Sequence, residues 1–315
     1  MVLNSELIGF RGELAALAAA LIWAAASIVY QGVGRQIPPL VLNLLKGLIA
    51  IAFFILVLLL RGQIQSHLTV YHGGLLCLSG AIGIGFGDTV YFKALNHLGP
   101  RRTLLIESLA PPLAAILAML LLQETLQYRA WLGILLTITG VTWVVIERTQ
   151  NLPEFHRQSR QGVIYALLAA LAQAVGAILS RAALVDTEID PLWSALVRLL
   201  AGVTILLIGL GLRAQLTHEQ GAKKIERSQS KLLAQLRSQR LIATLVITAF
   251  ASTFLAIWLQ QTALKYIPAG IAQSLTATSP LFVIPFSIAM GDPVSPRAIL
   301  GVIVAIAGVW LLLYP

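Results

Sequence analysis

Apolar and polar positions in this chain are sorted into long blocks rather than alternating residue by residue. Apolar runs of about 20 residues recur from one end to the other, each long enough to cross roughly 30 Å of hydrocarbon as a helix. Ten spans are predicted: Gly12–Gln31, Pro39–Leu60, Gly73–Leu95, Pro100–Leu122, Trp131–Ile146, Gly162–Arg181, Pro191–Leu212, Leu241–Gln261, Ala269–Met290 and Ala298–Leu313. The first could pass for a signal-peptide core, but nine spans follow it and its residues fit the repeat described next, so it reads as an uncleaved helix. The pattern predicts an all-α membrane protein. Connections are short except Arg148–Gln161 and Arg213–Arg240, and the latter contains KKIERSQSKLLAQLRSQR, a basic amphipathic arm suited to anionic head groups.

The spans repeat. Gly12 aligns with Gly162, and Pro39-Leu40 with Pro191-Leu192, each followed six residues later by a base, Lys46 or Arg198. Placing Ala94-Leu95 on Ala263-Leu264 also places Pro111 on Pro280 and Glu107 on Thr276. Gly133, Gly140 and Glu124 fall on Gly301, Gly308 and Asp292. Five spans per copy is an odd number, so the second copy enters the membrane from the opposite side. The expectation is ten transmembrane helices in two inverted five-helix repeats, 12–147 and 162–313, joined by a linker at 148–161. Inverted repeats are associated with alternating access about a site near the midplane.

Composition narrows the function classes. Hydrophobic residues make up 58% and charged residues 11%, which leaves no room for a soluble domain. The net charge of +9 comes from 22 basic and 13 acidic residues, and most of the bases lie between spans, a topology signal rather than a nucleic-acid surface. Cys77 is the only cysteine, so an internal disulfide is impossible. No GxxxxGK[ST] phosphate loop occurs, so nothing points to an ATP-driven pump or another cofactor.

The order of these features resembles the EamA family of the drug/metabolite transporter superfamily. Trp23, the bases after proline (Lys46 and Arg198), Ala94-Leu95, Pro111 and Pro280, and the acid–glycine sets Glu124, Gly133, Gly140 and Asp292, Gly301, Gly308 carry the resemblance over roughly Gly12–Leu313. It implies a carrier rather than an enzyme: a multi-pass permease of a bacterial inner membrane, monomer or homodimer, exporting small metabolites such as amino-acid-like compounds. Departures from the family pattern are the intraspan acids Asp88 and Glu107, Asp292 followed by Pro293 as the counterpart of Glu124, and Gln173 where a tryptophan is expected opposite Trp23.

Lys46, Asp88, Glu107 and Arg198 lie inside spans, where each charge costs at least about 2.5–3.5 kcal/mol unless it meets a partner or a watery cavity. Two acids and two bases can pair structurally or line a substrate site. Asp88 or Glu107 is the candidate for a coupling proton, and Lys46 or Arg198 for a substrate carboxylate or phosphate. Asn43 shares a face with Lys46, and Tyr91 with Asp88. Pro111 and Pro280 each deprive a carbonyl four residues back of its helical donor, at Glu107 and Thr276, and predict cavity-facing hinges. Gln273 and Thr276 belong to a polar stripe in the ninth span. Trp23, Trp193 and Trp258 could line a cavity, whereas Trp131, Trp143 and Trp310 suit interfaces. The small residues Gly80, Gly83 and Gly87 suit close helix contact.

A competing reading is enzymatic. Gly85-Phe86-Gly87-Asp88 is a GxGD tetrapeptide, resembling the aspartate motif of intramembrane aspartyl proteases, but that chemistry uses two carboxylates sharing a proton. Asp186, Asp190 and Asp292 fall outside the spans, so Glu107 would have to serve. A non-transporting, lipid-handling protein is the third possibility. Orientation divides two signals. Loops after odd-numbered spans hold 14 bases against five in the termini and remaining loops, which places the termini outside, whereas the resemblance implies cytoplasmic termini.

Overall fold

The structure is a computed structural model; it describes residues 10–33, 37, 39–62, 68–148, 160–216, 238–289 and 295–313. Asp292, most of the linker and the arm at 217–237 lie outside the described residues. Ten helices among the described residues are long and apolar enough to cross a membrane: Arg11–Tyr30, Leu40–Leu60, Val70–Gly99, Arg102–Leu121, Tyr128–Glu147, Arg160–Leu184, Pro191–Gly211, Gln239–Tyr266, Ala269–Phe286 and Pro296–Leu313. With no water to satisfy backbone groups in hydrocarbon, a helix that closes its own hydrogen bonds is the form such segments take. Their outward faces carry Leu60, Leu120, Ile208, Ile247 and Trp310, while alanines such as Ala16, Ala20, Ala170 and Ala174 fill the interior.

The fold is two inverted five-helix repeats, and they interlock. The first span packs along the eighth and ninth, and the sixth along the third and fourth. Each repeat has thus lent its first helix to the other. Matched contacts make the inversion visible. Gly12, at the start of the first span, lies against Ile267 in the turn before the ninth, and Gly162, at the start of the sixth, lies against Leu98 in the turn before the fourth. Ile267 and Leu98 correspond in the register that sets Ala94 on Ala263. The fifth and tenth spans form a separate close pair in which Gly140 meets the backbone of Gly301 and Ala305.

Two irregularities recur in both repeats. The third span widens into a π-helical segment at Ala81–Gly87 and the eighth at Phe250–Leu255, with Ala81 on Phe250 in the same register. Such segments often mark functional sites. The fourth span breaks between Glu107 and Ala110, and the ninth between Thr276 and Ser279. The prolines predict kinks at themselves; the breaks lie just before them. Pro111 is the second residue of a new helical segment, where a missing N–H costs nothing, and Pro280 occupies the same place. The turn before the fourth span is made by Gly99, whose φ of 75° favours a residue without Cβ.

Candidate functional site

The π-helical segment sets the site. A wider turn inserts a residue into the helical phase, so Asp88 leaves the third span on a face that simple three- and four-residue counting through Gly80–Gly87 does not assign. Asn43 Nδ2 in the second span donates to Asp88 Oδ2 at 2.8 Å. Lys46, one turn further on, and Arg198 from the seventh span both act electrostatically on Asp88. Lys46 Nζ stands 5.8 Å from the centroid of the Tyr30 ring. Arg198 is 4% exposed, and its Nε has no hydrogen-bond partner. The close approach of the third and seventh spans depends on Gly80, where any Cβ would run into the Arg198 backbone. These side chains surround a cavity of about 160 Å³, completed by Trp23, Gln173, Ser252, Thr253 and Gln260.

The eighth-span π-helical segment contributes differently. Trp23 Nε1 donates to the Ser252 carbonyl at 2.9 Å, and the Tyr30 and Ser252 hydroxyls bond at 2.9 Å. The indole is thereby tied at its edge. Beside it lies a second cavity, also about 160 Å³, lined by Glu107, Pro111, Gln273 and Thr276 and again by Trp23, Gln173 and Gln260. Glu107 ends the first segment of the broken fourth span, and its Oε2 is buried without a partner. The Thr276 hydroxyl instead donates along its own helix, 3.0 Å from the carbonyls of both Ala272 and Gln273.

Of the predicted residues, Trp23, Asn43, Lys46, Asp88, Gln173 and Arg198 line the first cavity, and Trp23, Glu107, Pro111, Gln173, Gln273 and Thr276 the second. Tyr91 lines neither, although it lies in electrostatic reach of Asp88 and Glu107, and Pro280 lines neither. Trp193 and Trp258 pack into an aromatic and aliphatic cluster with Phe54 and Phe254 rather than lining either cavity. Gln260, Ser252 and Thr253 were not legible as site residues. Their signal is the register itself, which sets Ser252, Thr253 and Gln260 on Gly83, Ile84 and Tyr91. Among the described residues no cluster of three potential metal ligands occurs.

Toward the side of the membrane that holds both termini, polar contacts tie several span ends together. Arg181, at the end of the sixth span, donates from Nε to Glu124 Oε1 at 2.6 Å. Its Nη1 reaches the carbonyls of Leu264 at 2.9 Å and Lys265 at 2.7 Å. Glu124 Oε2 accepts from Ala269 N at 3.1 Å, and Lys265 Nζ donates to the Ile189 carbonyl at 2.8 Å. The fourth and sixth spans are thereby clasped to the turn joining the eighth and ninth. Arg61, at the end of the second span, adds a cation–π contact over Trp258 at 5.2 Å. In the sequence Arg181 is only the end of an apolar span and Glu124 only a repeat marker, and nothing in either position announces the other.

The GxGD reading gains no support. Asp88 is engaged by Asn43, Lys46 and Arg198, the acid electrostatically coupled to it is Glu107, and Asp190 Oδ1 caps the seventh span at Leu192 N, 2.8 Å away. A family model for EamA-like transporters matches residues 10–146 and again 160–314. No curated protein matches the sequence. Among 29 matching chains of solved structures, one crystal structure superposes with a TM-score of 0.75 at 17% identity, over 96% of this chain and 97% of that one, a likeness of fold.

Proposed function

Because the chain belongs to the EamA-like transporter family, a branch of the drug/metabolite transporters, we propose that it is a secondary carrier moving a small polar metabolite by alternating access. The two repeats, 12–147 and 162–313, supply the moving parts, and the paired cavities around Trp23 are the substrate site. One observation carries this reading. A polar cavity lies within the spans and takes charged side chains from both repeats, and toward one side of the membrane Glu124 of the first repeat bonds to Arg181 and to the Ala269 backbone of the second. Charges so placed in a bilayer protein mark substrate or ion pathways. Lys46 and Arg198 receive an anionic substrate group, Asp88 or Glu107 carries a coupling proton, and Pro111 and Pro280 sit at breaks that let the fourth and ninth spans bend. A bacterial inner membrane and export of amino-acid-like compounds complete the proposal.

The test is transport in proteoliposomes under an imposed pH gradient, with solutes chosen by a ligand-stability screen on the purified protein. Asp88→Asn or Glu107→Gln is expected to lower pH-driven uptake to background while leaving the fold intact. Unchanged uptake and pH profile in both variants would end the proton role.

A further inference from the structure

Five buried side-chain atoms among the described residues lack a hydrogen-bond partner: Glu13 Oε2, Glu107 Oε2, Thr137 Oγ1, Arg198 Nε and Gln261 Nε2. Only Arg198 and Glu107 line the two cavities. They differ in sense, since the arginine Nε–H can only donate and a carboxylate oxygen accepts. They also differ in place, one in each cavity. Leaving such groups unpaired costs about 1–3 kcal/mol each, so a ligand that completes both is favoured over one that completes either.

The electrostatics divide the same way. The first cavity holds two bases and one acid, Lys46, Arg198 and Asp88; the second holds one acid, Glu107. Their common wall is Trp23, Gln173 and Gln260. Trp23 is fixed by its bond to Ser252, whereas Gln173 is exposed although it belongs to the cavity wall. In the first repeat's register Gln173 is the counterpart of Trp23, so one side of this waist is a flat ring and the other an adaptable amide. Each cavity alone falls short of the roughly 300–1,000 Å³ usual for small-molecule sites; the two together enter that range.

We propose that the cavities form one elongated site for a dipolar molecule, with an anionic group at the Arg198–Lys46 end, an ammonium or hydroxyl donor at the Glu107 end, and an apolar body passing between Trp23 and Gln173. The proposal rests on the carrier reading but goes beyond it, because it separates the charges. A molecule with both charges on one carbon, such as alanine, fills one end and leaves the other unpaired. A molecule with charges at opposite ends of a short chain satisfies both.

The experiment compares four probes by thermal unfolding and binding of the full chain in nanodiscs: ε-aminocaproate (both groups, far apart), caproate (anion only), cadaverine (cations only) and alanine (both groups, adjacent). ε-Aminocaproate is expected to raise the unfolding midpoint and to bind about tenfold or more tightly than the other three, roughly the loss of one unpaired-group penalty. Glu107→Gln is expected to bring ε-aminocaproate and caproate to similar affinity. Gln173→Trp, which narrows the waist, is expected to remove the advantage of ε-aminocaproate over the other three probes, and it serves as the second readout should Glu107→Gln unfold. Equal binding of caproate or alanine, or silence of all four probes, overturns the dipolar site. The two proposals fail separately: binding of ε-aminocaproate without movement of any solute in proteoliposomes defeats the carrier reading alone.

Discussion

The two repeats agree in backbone and disagree in charge. Both widen into a π-helical segment at the same register, both break their fourth helix just before a proline, and both seat a first-helix glycine on the partner's hairpin turn. Both keep a base seven residues after a proline, Lys46 and Arg198. Yet Asp88 faces Ile257 in the alignment, Glu107 faces Thr276, and Arg181 faces Gln31. Repetition of the backbone gives two equivalent bodies that can exchange roles across the membrane. On the alternating-access proposal, divergence of the side chains gives the site a direction and makes its two closed states unequal in energy. Backbone geometry and side-chain chemistry have therefore been set by different demands.

The largest effect is expected where that inequality is strongest. On the side of the termini, Arg181 and Glu124 are 10% and 14% exposed and bond to the turn between the eighth and ninth spans. The corresponding positions near the opposite face hold Gln31 for Arg181 and Asn96 for Lys265. Removing one member of a buried ion pair costs about 3–5 kcal/mol, close to the roughly 5.5 kcal/mol that carries a two-state equilibrium from 1:99 to 99:1. Arg181→Gln, which makes the two faces alike, is expected to open the terminal side. A cysteine placed at Gln261 in a Cys77→Ala background should then react with an impermeant maleimide about a hundredfold faster from that side. An unchanged rate would mean that packing, not the Arg181 clasp, holds the face shut.

Much of this comparison was legible beforehand. Ten apolar blocks, the alignment of Pro111 on Pro280 and the intraspan charges are all properties of single positions or fixed spacings, so the inverted architecture follows from them. What was not legible depends on geometry between distant segments. The π-helical segments look like any run of small residues, Gly83, Gly85 and Gly87 in one copy and Ala251, Ser252 and Thr253 in the other. The helix breaks precede the prolines because the N–H that proline lacks is dispensable at the start of a helix. The exchange of first helices, and the meeting of Arg181 with Glu124 across 57 residues of chain, leave no trace in hydropathy.

A smaller effect separates scaffold from site. Gly140 lies against the backbone of Gly301 and Ala305 in the fifth–tenth pair, and Gly80 against the backbone of Arg198 in the third–seventh pair. A methyl group at either position is expected to cost about 1–3 kcal/mol by overpacking, visible as a lower unfolding midpoint. The consequences for transport should differ. Gly140→Ala strains a pair that lines neither cavity and should leave transport per folded molecule intact, whereas Gly80→Ala displaces the backbone that carries Arg198 and should weaken substrate binding. Equal transport in the two variants would show that the position of Arg198 tolerates the shift.

The smallest effect tests whether matched positions share a role. Thr276 occupies the place of Glu107 and lines the second cavity, which invites assigning both to substrate. The hydrogen bonds argue otherwise. The Thr276 hydroxyl has a single proton and offers it to the Ala272 and Gln273 carbonyls, so a substrate would have to compete with bonds already made, while Glu107 Oε2 has none to lose. Thr276→Val keeps the branched shape and removes only the hydroxyl; a hydrogen bond of this kind is worth about 0.5–1.5 kcal/mol net. The variant is expected to lower the unfolding midpoint slightly and to change the transport KM by less than about threefold, with Glu107→Gln far more damaging. A Thr276→Val defect as deep as that of Glu107→Gln would mean that the hydroxyl turns from its helix to the substrate during the cycle, and that the two repeats share their chemistry at this position after all.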